Sequence, residues 1–258
     1  SAKTSVKKTY GNANFTQPLT LTGDGMVSYA TSNVDVADVD AATGEVTITG
    51  EGTATITATA IDGINYTYAS ETNTANYTIT VAPAEMTVTA SGFTGDYDGQ
   101  AHSITVTAPE GATVKYGETE GVFDLSASPT YINAGGYTVY YQVTKPNYAT
   151  MTGSQVVTIN QAAGSISYAT ASVKKTYGDI NFTHPLTLTG DGTVSYATSD
   201  ADVADVDAAT GEVTITGEGT ATITATAIDG TNYIYASKTN TANYTITVAP
   251  AKMTVKAS

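Results

Sequence analysis

The chain has 258 residues, of which 13% are charged, with a net charge of −14 and no cysteine. All ten basic residues are lysine, so it lacks the basic stripe that nucleic acid or an anionic lipid surface would need, and without cysteine it has no disulfide framework, thiolate nucleophile or thiolate metal site. At 41% hydrophobic residues it can still bury a core in each of two or three domains.

The chain opens at Ser1 on polar sequence in which no secretory leader is expected, and no apolar run approaches the roughly 20 residues of a membrane span. No membrane insertion is expected, and the chain is expected to be a segment of something longer. The first strong pattern has a period of two. In "GTATITATA", Ala54, Ile56, Ala58 and Ala60 point one way and Thr53, Thr55, Thr57 and Thr59 the other, a half-buried strand with a threonine-rich solvent face. "EVTIT" repeats this with Val46 and Ile48 inward, and "VDAATGEV" joins two such runs through a short loop in which Gly44 can take a positive φ, predicting a hairpin. "ANYTITVAP" supplies a further strand, ended by Pro83. From about Ala84 the pattern changes, with strands expected in "SITVTA", "TVKYG", "GYTVYYQVT" and "SQVVTIN" and no helix of three turns anywhere.

Then the first pattern returns. Asp35–Gly63 recurs letter for letter at Asp202–Gly230, and Ser5–Ser91 aligns on Ser172–Ser258 without a gap and with eleven differences. Gly211 is the twin of Gly44. The grammar is A–B–A, the signature of an array. It divides into residues 1–83 (A), 84–161 (B), 162–251 (A again) and 252–258, where "MTVKAS" would open another B as "MTVTAS" does at Met86. Short strands with glycine turns predict an all-β chain of three tandem Ig-like antiparallel β-sandwich domains in an extended rod. Within B, "NAGGYTV" has the spacing of an immunoglobulin tyrosine corner. Tyr137 would cap a backbone group at the corner while its ring packs into the core; Asn133 opens the motif and Val139 stands at the cysteine position.

Unit A, through "VSYATSNVDVADVDAATGEVTITGEGTATITATA", resembles the bacterial Ig-like (Big) domains of large repetitive surface proteins. Unit B, through "YDGQAH", "VKYG", "NAGGYTVYYQV" and Asn147-Tyr148, resembles the MBG or YDG-type modules of similar proteins. The resemblance implies an extracellular or bacterial cell-surface location and a role in adhesin-like multidomain proteins.

Enzyme chemistry finds no constellation, and no cofactor is expected. His184 is matched by Gln17 in the other copy, His102 reads as a turn residue, and no nucleophile elbow or phosphate loop is present. Asp35, Asp38 and Asp40, with Asp202, Asp205 and Asp207, are hard oxygen ligands within six residues and so calcium candidates. The competing reading is an acidic edge that deters strand pairing. Lys7 or Lys8, Asn76 and Glu51, with Lys174 or Lys175, Asn243 and Glu218, have chain positions suited to a Lys–Asn crosslink. The function expected is a structural stalk whose partners are neighbouring domains of the same chain. The alternative is a module on B that binds host glycan or protein through exposed tyrosines.

Overall fold

The computed structural model describes residues 4–69 and 73–256. No helix occurs among them. The chain divides into two compact units: the described residues within Ser1–Ser91, Thr105–Ser128 and Tyr140–Ser154, and those within Gly92–Ile104, Pro129–Val139 and Gln155–Ser258.

In the first unit, copy one of the duplicated segment forms two sheets. One has the order Ser5–Thr9, Thr74–Ala82, Gly52–Ile61, Met26–Thr31; the other has Phe15–Thr16, Glu45–Ile48, Ala37–Val39. Val36, Ala37, Val46, Ala54, Ile56, Ile79 and Val81 close the core between them. The alternation read from "GTATITATA" is realised: Ala54, Ile56 and Ala58 are buried and the threonines between them are not. Copy two, in the second unit, repeats both sheets. Ser172–Thr176, Thr241–Ala249, Gly219–Ile228 and Thr193–Thr198 make one, and Phe182–Thr183, Glu212–Ile215 and Ala204–Val206 the other. It gains two further pairings, Ser165–Tyr168 against Leu186–Thr189 and Ala162–Ala163 against Tyr233–Ile234.

In the middle segment, Thr89–Ser91 pairs antiparallel with Thr105–Thr107. A four-stranded sheet has the order Thr113–Gly117, Gly135–Thr144, Met151–Asn160, Phe93–Asp96. Residues 252–256 form no strand, and Met253 and Val255 are almost fully exposed. Ala257 and Ser258, the end of the expected opening strand of another B, lie outside the described residues.

The all-β Ig-like sandwich is as expected, but purely antiparallel pairing is corrected in one respect. The hairpins are antiparallel, whereas one early strand of each segment pairs in parallel with its last strand: Ser5↔Thr78 to Thr9↔Ala82, Phe93↔Val157 to Asp96↔Asn160, and Ser172↔Thr245 to Thr176↔Ala249. Period-two sequence patterning fixes which residues face inward but carries no information on the direction of the neighbouring strand.

Candidate functional site

Four of the six aspartate carboxylates considered for calcium accept hydrogen bonds within their own turns. Asp40 Oδ1 accepts the N–H groups of Thr43 (2.7 Å) and Ala42 (3.1 Å) and the Thr43 hydroxyl (2.8 Å); Asp207 does the same with Thr210 and Ala209. These donors, the threonine N–H foremost, hold both carboxyls below the ordinary aspartate range. Asp38 accepts from the Val39 N–H and Asp205 from Val206. The Asp35 and Asp202 N–H groups bond to Asn33 and Asp200. Among the described residues no three His, Cys, Asp or Glu side chains come together as a metal site would require. Gly44 and Gly211 follow these turns at φ +72° and +70°, and a Cβ there would lie within 2.8 Å of the Tyr29 or Tyr196 ring.

Strand register keeps the proposed crosslink residues apart. Lys7 and Lys8 sit opposite Thr80 and Val81, while Asn76 sits opposite Thr57. Lys7 is therefore four residues from Asn76 along the strand, about 13 Å. Lys8 Nζ instead lies 4.1 Å from the Phe15 ring centroid, and Lys175 repeats the contact on Phe182. In copy two, Lys174 faces Thr247 and Asn243 faces Thr224.

The histidines are held by packing and turns. The His102 ring stacks on Phe93 at 3.6 Å and its Nε2 lies 3.0 Å from Asp98 Oδ1. His184 Nε2 lies 3.1 Å from both the carbonyl and the hydroxyl oxygen of Thr170. Tyr137 donates its hydroxyl to the Asn133 carbonyl at 3.1 Å, its ring stacks on Tyr131 at 4.1 Å, and Val139 is fully buried. The middle-segment tyrosines are all at least half-buried; its exposed large hydrophobic side chains are Val122, Ile132 and Val156.

Sequence reasoning missed a recurring joint. In the first unit, Lys145–Tyr148 forms a turn closed by the Tyr148 N–H on the Lys145 carbonyl. Asn147 adopts φ +66°, a left-handed conformation that asparagine tolerates better than most residues. Its Oδ1 accepts the Glu51 N–H at 3.0 Å, and its carbonyl accepts the Ala84 N–H at 2.9 Å. Tyr148 pairs in parallel with Ala84, and its ring meets Tyr10 edge-on at 5.7 Å. The second unit repeats this with different residues. Asn232 Oδ1 accepts the Ala134 N–H at 2.8 Å, and its carbonyl accepts the Ala162 N–H at 2.9 Å. Tyr233 pairs in parallel with Ala162, and its ring meets Tyr97 edge-on at 5.5 Å. Each joint thus has a plug, Asn-Tyr, and a socket. The socket is a tyrosine just after an early strand (Ser5–Thr9 or Phe93–Asp96), a backbone N–H outside the sheet ladders and a linker alanine. The Asn-Tyr dipeptide shared by units A and B was the available signal.

Two stretches match a known family. Residues 18–62 and 186–229 match the model described as Intimin, immunoglobulin-like domain. The matched stretches fall in both copies of the duplicated segment, and they support bacterial Ig-like domains of an adhesin-like, extracellular type there; they leave residues 84–161 unmatched. No curated protein matches the chain. Similar solved structures include Drosophila N-cadherin EC1-4, at 12% identity over 96% of this chain and 72% of that one, with a TM-score of 0.33. Mouse clustered PcdhgC3 EC1-3 shows 10% identity over 88% and 89%, with a TM-score of 0.39. Human CDH23 EC21-23 shows 14% over 95% and 97%, with a TM-score of 0.36. No helix among the described residues is long and apolar enough to cross a membrane.

Proposed function

We propose that this chain is a structural stalk segment of a bacterial cell-surface or secreted adhesin-like protein, built from three Ig-like units at residues 1–83, 84–161 and 162–251. The middle unit is read as an MBG/YDG-type module. The observation that carries the reading is the parallel pairing of an early strand with the last strand in all three segments. Tension reaching such a pair enters at the start of its earlier strand and leaves at the end of its later one. Those two points lie at opposite ends of one ladder, so the pull slides the strands past each other and loads every ladder hydrogen bond together. In an unzipping geometry the bonds, each worth about 1 kcal/mol net, would break one at a time.

Two observations add support. The middle-segment tyrosines are each at least half-buried, which favours a packing role over the exposed aromatic patch that the binding-module alternative needs. The two joints fix neighbouring segments with both ring contacts and backbone bonds.

Single-molecule pulling tests the reading. Handles attached through Ser5→Cys and Ala82→Cys load the Ser5–Thr9 and Thr74–Ala82 ladder in shear, whereas Ser5→Cys with Thr78→Cys pulls on directly opposed residues and unzips it. Rupture force is expected to be severalfold higher in the first geometry at equal pulling speed. Equal forces would remove the mechanical basis of the stalk.

A further inference from the structure

The joint has one socket left open. In copy two, Tyr177, Glu218 and Ala251 stand where Tyr10, Glu51 and Ala84 stand in copy one, and with Gly217, Pro250 and Met253 they line an open, largely apolar cleft. Tyr177 is 52% exposed, while Tyr10, covered by Tyr148, is half-buried. Met253 is 96% exposed, while its twin Met86 is 7% exposed. The Glu218 N–H has no hydrogen-bond partner among the described residues, whereas the Glu51 N–H is bonded to Asn147. The local sequences of the two sites are nearly identical, so the difference lies in the occupant.

We propose that this cleft is a docking site for a Lys-Pro-Asn-Tyr turn carried by a B-type unit, the element that fills the same socket in copy one. The chemistry is defined by three matched groups. An asparagine held at positive φ turns its Oδ1 to the Glu218 N–H, its carbonyl meets the Ala251 N–H, and the following tyrosine ring meets Tyr177 edge-on, a contact worth more than its buried area alone. The inference rests on the stalk reading only in that repeated joints are what a stalk requires. A failed socket would leave the shear ladders untouched, and equal rupture forces would leave the socket untouched.

Two probes test it on the full chain. The first appends Gly92–Gln161 after Ser258, so that "MTVKAS" runs on into a B unit. The expected result is protection of Met253 from peroxide oxidation, which reports folding of the new unit, together with at least tenfold slower hydrogen exchange at the Glu218 amide. Exchange at Glu218 should return to its original rate when the asparagine of the appended turn is changed to alanine. Protection of Met253 with unaltered exchange at Glu218 would overturn the proposal. The second probe needs no folding of an added unit: the Val143–Thr152 segment as a peptide closed by a terminal disulfide. At millimolar peptide, NMR shifts are expected at Glu218 and Tyr177 but not at Glu51 and Tyr10, whose socket is filled. Absence of shifts at Glu218 and Tyr177 with this peptide, in a chain where the appended unit also fails to slow Glu218 exchange, overturns the proposal. Self-association of the unmodified chain that is abolished by Asn65→Ala would also overturn it, since it would assign the cleft to the A-type plug of a second copy.

Discussion

The two copies of the duplicated segment contain the same tetrapeptide, Leu-Thr-Leu-Thr, in different states. Leu186–Thr189 is a strand, paired antiparallel with Ser165–Tyr168. Leu19–Thr22 forms no strand and borders an open groove with Val27, Ala58, Ala60 and Tyr68. In copy two that space is closed: Ile166 is 8% exposed and joins Ala225, Ala227, Tyr235 and Ala242 in a second small core, with Leu186, Leu188 and Val194 against it. Tyr235 is buried there, while its twin Tyr68 is only partly buried. A strand is a property of a pair, because its backbone donors and acceptors point sideways out of the segment and need a partner ladder. A helix would have satisfied them from within.

The largest effect that would sharpen this comparison is removal of the covering side chain. Ile166→Ala is expected to cost about 2–4 kcal/mol, the usual range for truncating a buried isoleucine, and the loss should be confined to copy two. Hydrogen exchange resolved by segment under mild denaturant should show residues 186–228 opening at lower denaturant while copy one is unchanged. An equal response in both copies would break the comparison.

The hairpin turn should behave in the opposite way, because its residues and geometry are the same in both copies. Gly44→Ala and Gly211→Ala each place a Cβ against a tyrosine ring at positive φ. Each is expected to cost about 1–3 kcal/mol, with the two values agreeing to about 0.5 kcal/mol. Chemical denaturation of the two single variants checks this, and a larger gap would show that the strand covering copy two reaches the hairpin.

The smallest effect concerns Tyr77 and Tyr244, twins whose hydroxyls are buried without a hydrogen-bond partner. Burial pushes Tyr77 upward and Tyr244 up to about 12. Because the folded-state values lie above the unfolded value of about 10, stability should be intact below that pH and decline as the pH rises toward the folded-state value. Tyr244→Phe removes a desolvated group, so it is expected to be neutral or stabilising by up to about 1 kcal/mol. It should also flatten the fall of the thermal midpoint between pH 10 and 12 (roughly the window set by the two values). A clear loss of stability in Tyr244→Phe would show that the hydroxyl has a partner.

Much of this architecture was legible in the sequence. The period-two runs gave the buried faces of Gly52–Ile61 and Glu45–Ile48, because side-chain alternation is a local consequence of the pleat. The gapless duplication gave two copies with the same two sheets in the same order. Whether Leu-Thr-Leu-Thr becomes a strand, that an early strand of each segment pairs in parallel with its last, and that Asn147-Tyr148 and Asn232-Tyr233 become plugs were decided only in three dimensions. Each of these depends on which backbone donors and acceptors a distant segment brings alongside, and residue spacing along one chain does not encode that choice. The fate of Met86 and Met253 shows the limit: nearly the same linker sequence buries one and exposes the other, because only Met86 lies in a linker joined to a B unit with its plug in place.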